Sequence, residues 1–139
     1  MRVRCIRNEM DDKFAKSVGF KGTYPLYGSE FTVGKEYDVL AFFYYPASTA
    51  YVGFPCFEIE NDIGRLDFVP VFLFEVTENT VSKYWKFQFN DEDNESSVSF
   101  RPKAFEKKYF HDDLSEGFQE EIDEFRAVCA LIKEENDAR

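Results

Sequence analysis

The sequence predicts an α+β chain that is mostly antiparallel β: a curled sheet or partly open barrel of about five to seven strands, with an added hairpin and one C-terminal helix. Three observations carry this. Phe31–Val76 is the densest run of strand signals and reads as three consecutive antiparallel strands ending in an apolar, Pro-led turn. Tyr84–Phe100 repeats the alternation as a further hairpin. Phe118, Ile122, Phe125, Cys129 and Ile132 recur at helical spacing, with Val128 beside them. At 139 residues the chain fits one domain, with its first β part over 1–76, a hairpin and linker over 77–110 and a helix over 113–134.

Taken in order, Val3 and Cys5 alternate with Arg2 and Arg4, so Arg2–Arg7 reads as a half-buried strand. Asn8–Glu30 is long and weakly periodic. Asp11–Val18 suits a short helix with Phe14 and Val18 on one face. Gly19, Gly22, Pro25 and Gly28 then break the chain, and Tyr24, Leu26 and Tyr27 are expected to pin the loop to the body. A turn at Gly34-Lys35 opens a strand in which Tyr37, Val39 and Ala41 point one way and Asp38, Leu40 and Phe42 the other. Phe42–Tyr45 is apolar on both faces and needs cover on both; the helix stripe is the expected cover.

After a loose loop at Pro46–Ala50, Tyr51–Asn61 reads as a strand with Phe57 and Ile59 inward and Cys56, Glu58 and Glu60 toward water. Asn61-Asp62-Ile63-Gly64 is a turn, Arg65–Val69 the returning strand, and Pro70–Val76 a tight turn tucking Phe72 and Phe74 inward. Trp85, Phe87 and Phe89 then alternate with Tyr84, Lys86 and Gln88 up to an acidic tip at Asn90–Ser96. Ser115 or Asp113 is positioned to cap the final helix, with Glu116 in its first turn.

Composition narrows the partners. Acidic residues outnumber basic ones 27 to 17, a net charge of −10. That disfavours nucleic acid, whose affinity rests on Lys and Arg neutralising phosphates, and favours steering toward a basic protein. With 17 Phe, 8 Tyr and 1 Trp, the rings exceed what one small barrel encloses, so some are expected at a surface or under the helix. No apolar run approaches the roughly 18–20 residues of a membrane span, and Met1–Arg7 is too charged for a secretory leader. A cytoplasmic protein without membrane contact is expected. Cys5, Cys56 and Cys129 lack any CxxC spacing and read as buried free thiols.

Catalytic patterns are missing. There is no GxSxG, no glycine-rich phosphate loop and no second histidine for an HExxH site. His111, between Phe110 and Asp112-Asp113, reads as a loop leading into the helix. Counted from Asp91, the acidic tip has Ser96 where a calcium loop requires Gly, and no Glu at the twelfth position. No enzyme, cofactor or metal site is expected.

The run TVGKEYDVL, then EIENDIGR, then a Pro-led aromatic turn ending LFEV resembles small SH3-like barrels of bacterial and phage origin. The resemblance covers Arg2 to Val76; the hairpin and helix are additions, so proline-peptide binding is not carried over. In kind, the small acidic chain also looks like immunity proteins of bacterial toxin systems, including contact-dependent growth inhibition. That resemblance implies a catalytically inert inhibitor that occludes a cognate basic toxin domain, with a nuclease as the natural target class. The candidate contacts are Glu58, Glu60, Asp62, Asp91, Glu92, Asp93 and Glu95 as steering carboxylates, and Phe42, Tyr44, Tyr51 and Phe54 as aromatic anchors. The chain is then a monomer or weak dimer. The alternative is a structural or regulatory module of phage or mobile-element origin that self-associates through the Phe42–Tyr45 strand.

Overall fold

A computed structural model of the chain describes residues 1–19, 30–45, 54–90 and 96–139. Strand β1 (Arg2–Cys5) buries Val3 and Cys5 and turns Arg4 outward, as its alternation requires. Helix α1 (Asp12–Val18) begins at Asp11, whose carboxylate accepts from the Phe14 N–H at 2.8 Å, and stops at Gly19 in the left-handed region. Four strands follow: β2 (Glu36–Tyr44), β3 (Pro55–Glu60), β4 (Leu66–Pro70) and, after a 3₁₀ turn at Val71–Leu73, β5 (Phe74–Glu78). The added hairpin is β6 (Trp85–Asn90) and β7 (Ser97–Pro102). A 3₁₀ turn at Lys103–Glu106 leads to α2 (Phe110–Ser115) and α3 (Gln119–Asp137).

The pairing order is β4-β3-β2-β1-β5, all antiparallel, with β7 on β2 and β6 on β7. This is the open, curled, mostly antiparallel sheet with an added hairpin and C-terminal helix that the sequence predicts. Pro70–Val76 is more than a turn, however: from Phe74 it becomes β5, zipped onto β1 from Cys5 to Arg2. Local polarity hides this strand, since Val76 stands half exposed although it pairs with the buried Val3.

One bulge organises the rest. Between Val39 and Ala41 the β2–β3 register slips, leaving Leu40 as the extra residue. A bulge re-aims every side chain beyond it. Before it, Tyr37 and Val39 face the inner core with Val3, Phe31, Ile59, Leu73 and Phe74. After it, Phe42 joins that core, while Leu40 and Ala41 lie in a second core beneath α3 with Phe105, Phe110, Phe125, Val128 and Ile132. The strict alternation predicted for Tyr37–Phe42 therefore fails after Leu40: Ala41 joins the side of Leu40, and Phe42 that of Val39. The bulge is also where the edge of β2 opposite β3 changes neighbour, from β1 at Glu36–Asp38 to β7 at Phe42–Tyr44. Trp85 at the start of β6 closes the junction by donating its indole N–H to the Leu40 carbonyl at 2.9 Å.

The predicted 113–134 helix is two helices separated by Gly117, which takes φ 84°. Neither Ser115 nor Asp113 caps the long one; it starts after Phe118, which is exposed. The face of α3 that docks carries Glu121, Phe125, Val128, Ile132 and Asn136, so the apolar stripe is rotated from the predicted one. Its aliphatic centre covers Leu40 and Ala41 and not the rings of Phe42–Tyr45. Phe42 packs against Phe57 and Phe100, and Phe43 against Phe68, with the Arg101 guanidinium over its ring.

Candidate partner-binding face

The two faces of the β3-β2-β7-β6 layer have different fates. On the helix-facing side, α1, α2 and α3 cover Cys56, Phe68, Leu40 and Ala41. On the other side, the direct cross-strand partners Phe57, Phe42, Phe100 and Phe87 form one aromatic row, running from β3 through β2 and β7 to β6. Ring centroids are 6.3, 6.2 and 5.3 Å apart along it. The row begins in the core, with Phe57 5% exposed, and ends in solvent, with Phe87 61% exposed. A second row, Tyr44, Val98 and Phe89, runs beside it and ends with Phe89 58% exposed.

Beyond the hairpin lies nothing among the described residues: β6 pairs only with β7. Exposed strand edges with large apolar side chains are templates for association, and proteins blunt them with charge unless the surface is used. Here the outer edge carries two phenylalanines side by side on one face. Aromatic anchors beside partly buried neighbours are the usual composition of a binding hot spot. The acidic stretch Asp91–Glu95 follows β6 directly in sequence.

Of the sequence-predicted anchors, Phe42 and Tyr44 lie within these rows, half-buried. Phe54 instead packs into the helix-side core, its ring 5.2 Å from that of Phe72. Tyr51, Asp91, Glu92, Asp93 and Glu95, like the loop pins Tyr24, Leu26 and Tyr27, lie outside the described residues. Phe87, Phe89 and Phe100 were missed as anchors although their alternation was legible. What the sequence does not reveal is that β6 is an edge.

Each of the three β3-region carboxylates is engaged in an internal pair. Glu58 was expected to face water, yet it is fully buried because the helices cover that side of β3. Arg101 Nε donates to Glu58 Oε2 at 2.6 Å, and His111 Nε2 lies 2.5 Å from Oε1. Burial pushes the Glu58 carboxyl pKa up, but the His111 hydrogen bond and the Arg101 charge outweigh it and hold the group below its ordinary value. Glu60 is clamped by Arg126 of α3, which also donates to the Gly64 carbonyl. Asp62 accepts from Thr32 Oγ1 at 2.6 Å, Lys35 Nζ at 2.7 Å and Tyr37 Oη at 2.9 Å. All three therefore serve internal pairs that tie turns and helices to the sheet.

His111 is a buried-pair residue of α2, and its adjacent acids play no part in that pair. Among the described residues no group of three or more His, Cys, Asp or Glu could hold a metal ion, and no helix is long and apolar enough to cross a membrane. Burial raises the thiol pKa of Cys56 and of Cys129 to about 12, so neither is a nucleophile near neutral pH. Comparison with protein-family models, curated proteins and solved structures found no match.

Proposed function

We propose that this chain is a cytoplasmic, non-catalytic inhibitor of the immunity or antitoxin type, which occludes a basic toxin domain through the Phe87–Phe89 face of its added hairpin. The observation that carries the reading is the graded aromatic row, anchored in the core at Phe57 and ending uncovered at Phe87. A rigid, pre-formed aromatic edge binds without the entropy cost of ordering a loop. The net charge of −10 supports steering toward a basic partner, and the acidic Asp91–Glu95 stretch adjoins the same strand in sequence. This departs from the expected contact set: Glu58, Glu60, Asp62 and Phe54 drop out, and Phe87, Phe89 and Phe100 enter.

The test is titration against the basic toxin domain encoded beside this chain's gene, with binding and residual toxin activity both read. Phe87→Ser with Phe89→Ser is expected to weaken binding by about 30-fold or more, the scale of a lost hot spot, while circular dichroism stays unchanged. Absence of any such neighbouring toxin, or unchanged affinity of the folded variant, would overturn the proposal.

A second reading has one specific observation in its favour. Pairing of β2 on both edges at Phe42–Tyr44, with β3 and β7, speaks against self-association through that strand and turns this reading to β6. Among the described residues the outer β6 edge pairs with no strand, and two copies joined along β6 would continue the sheet. A monomer in size-exclusion chromatography at micromolar concentration rules this out.

A further inference from the structure

On the opposite side of the hairpin from the aromatic rows, a trough of about 440 Å³ runs between the start of β6 and the outer flank of α3. Its volume is that of a small-ligand pocket, about 300–1,000 Å³. The walls are aliphatic: Ala104 on one side, and Val128, Leu131 and Ile132 of α3 on the other, with the Tyr84 ring at one end. Leu131 is 41% exposed although it lies beside a buried core. Three cations stand around this trough, Lys83, Lys86 and Lys103, against a single carboxylate, Glu124.

That charge balance is the reverse of the whole molecule's, at −10. It is also not consumed internally. Arg2, Lys35, Lys107, Arg126 and Lys133 each bind a carboxylate, whereas Lys83, Lys86 and Lys103 form no ion pair among the described residues. The Lys83 ammonium lies over the Tyr84 ring, 5.1 Å from its centroid, while the Lys83 backbone N–H donates to Glu135 Oε1 at 2.8 Å. Keeping three unpaired ammonium groups around an apolar surface, in a chain with a surplus of acids, selects an occupant with carboxylates and apolar side chains together.

We infer that this trough is a second docking site, and that its occupant is an extended acidic peptide segment whose apolar side chains fill the Val128–Leu131 surface while its carboxylates meet Lys83, Lys86 and Lys103. Nucleic acid fits poorly, because three lysines give little counterion release against the surrounding negative field. An extended segment fits well, because the trough lies beside the start of β6, whose outer edge pairs with no strand among the described residues and can take a peptide backbone. The site differs from the proposed toxin-binding face in location, in charge and in partner, so the two can be separated experimentally.

The probe is a short fluorescein-labelled peptide of alternating Glu and Leu, titrated by anisotropy into the full chain. Controls replace its Glu with Lys or its Leu with Ser. Saturable binding of the Glu/Leu peptide alone is expected. Lys83→Glu/Lys86→Glu/Lys103→Glu should weaken it at least about tenfold, and Leu131→Ser, at a half-exposed position, should do likewise without unfolding the chain. Phe87→Ser/Phe89→Ser should leave it unchanged. No saturable binding at millimolar protein, equal binding of either control peptide, or insensitivity to the lysine substitutions overturns the inference. So does preferential binding of dodecanoate, which would make the occupant an acyl chain.

Discussion

Glu58→Ala tests the covered side of the sheet most directly. The substitution removes the one acceptor shared by Arg101 and His111 inside a fully buried site. Deleting one member of a buried ion pair costs about 3–5 kcal/mol, because the remaining charges stay uncompensated. Arg101 and His111 keep 22% and 25% of their side-chain surface in solvent and can rehydrate in part. The expected loss is therefore at the lower end, about 3 kcal/mol, which for a chain of this size lowers Tm by about 10 °C. Glu58→Gln preserves volume and one acceptor and should cost about half as much. Glu58→Met/Arg101→Met/His111→Phe removes the whole cluster and should lie within about 1 kcal/mol of the parent, since apolar replacement of a complete buried cluster is often neutral. The assay is urea unfolding followed by tryptophan fluorescence, with circular dichroism as a second probe.

The pH dependence follows from the direction of the shift. The folded-state carboxyl of Glu58 is depressed, so its contribution is complete above the ordinary glutamate value of 4.5 and is lost as pH falls from there through the folded-state pKa. The gap between parent and Glu58→Gln should shrink on acidification below that value. A Glu58→Ala cost under about 1 kcal/mol, or a gap that widens in acid, would refute the reasoning.

Three further outcomes are expected. Trp85→Phe deletes the donor to the Leu40 carbonyl and should cost about 1–3 kcal/mol, measured as a lower urea midpoint at unchanged slope by circular dichroism, since Trp85 is the single tryptophan. Gly64→Ala places a side chain at φ 82° with its Cβ 3.2 Å from Arg126 Nη2, and should cost about 1–2 kcal/mol in the same titration. Phe87→Ser/Phe89→Ser removes half-exposed rings, so stability should stay within about 0.5 kcal/mol while dye binding to exposed apolar surface falls.

Patterns of period two and local turn chemistry determined most of the sheet from the sequence alone. Val3 and Cys5 alternate with arginines, Asn61 Oδ1 accepts from the Ile63 and Arg65 N–H groups, and Gly64 takes the positive φ that the turn demands. These are short-range effects, legible because each residue's preference is met by its own neighbours. What tertiary structure alone decided is which face each strand buries. The Leu40 bulge exchanges the faces of β2 because two different strands must share its edge, and no local preference marks that residue. Glu58 reads as a solvent-facing acid until elements from distant parts of the chain cover it, with β7 supplying Arg101 and α2 supplying His111 as partners. Phe87 reads only as one member of an alternating apolar set until β6 is found at the end of the sheet, with no further strand among the described residues to cover it. Burial is a property of the assembled layers, and alternation fixes only that two faces differ.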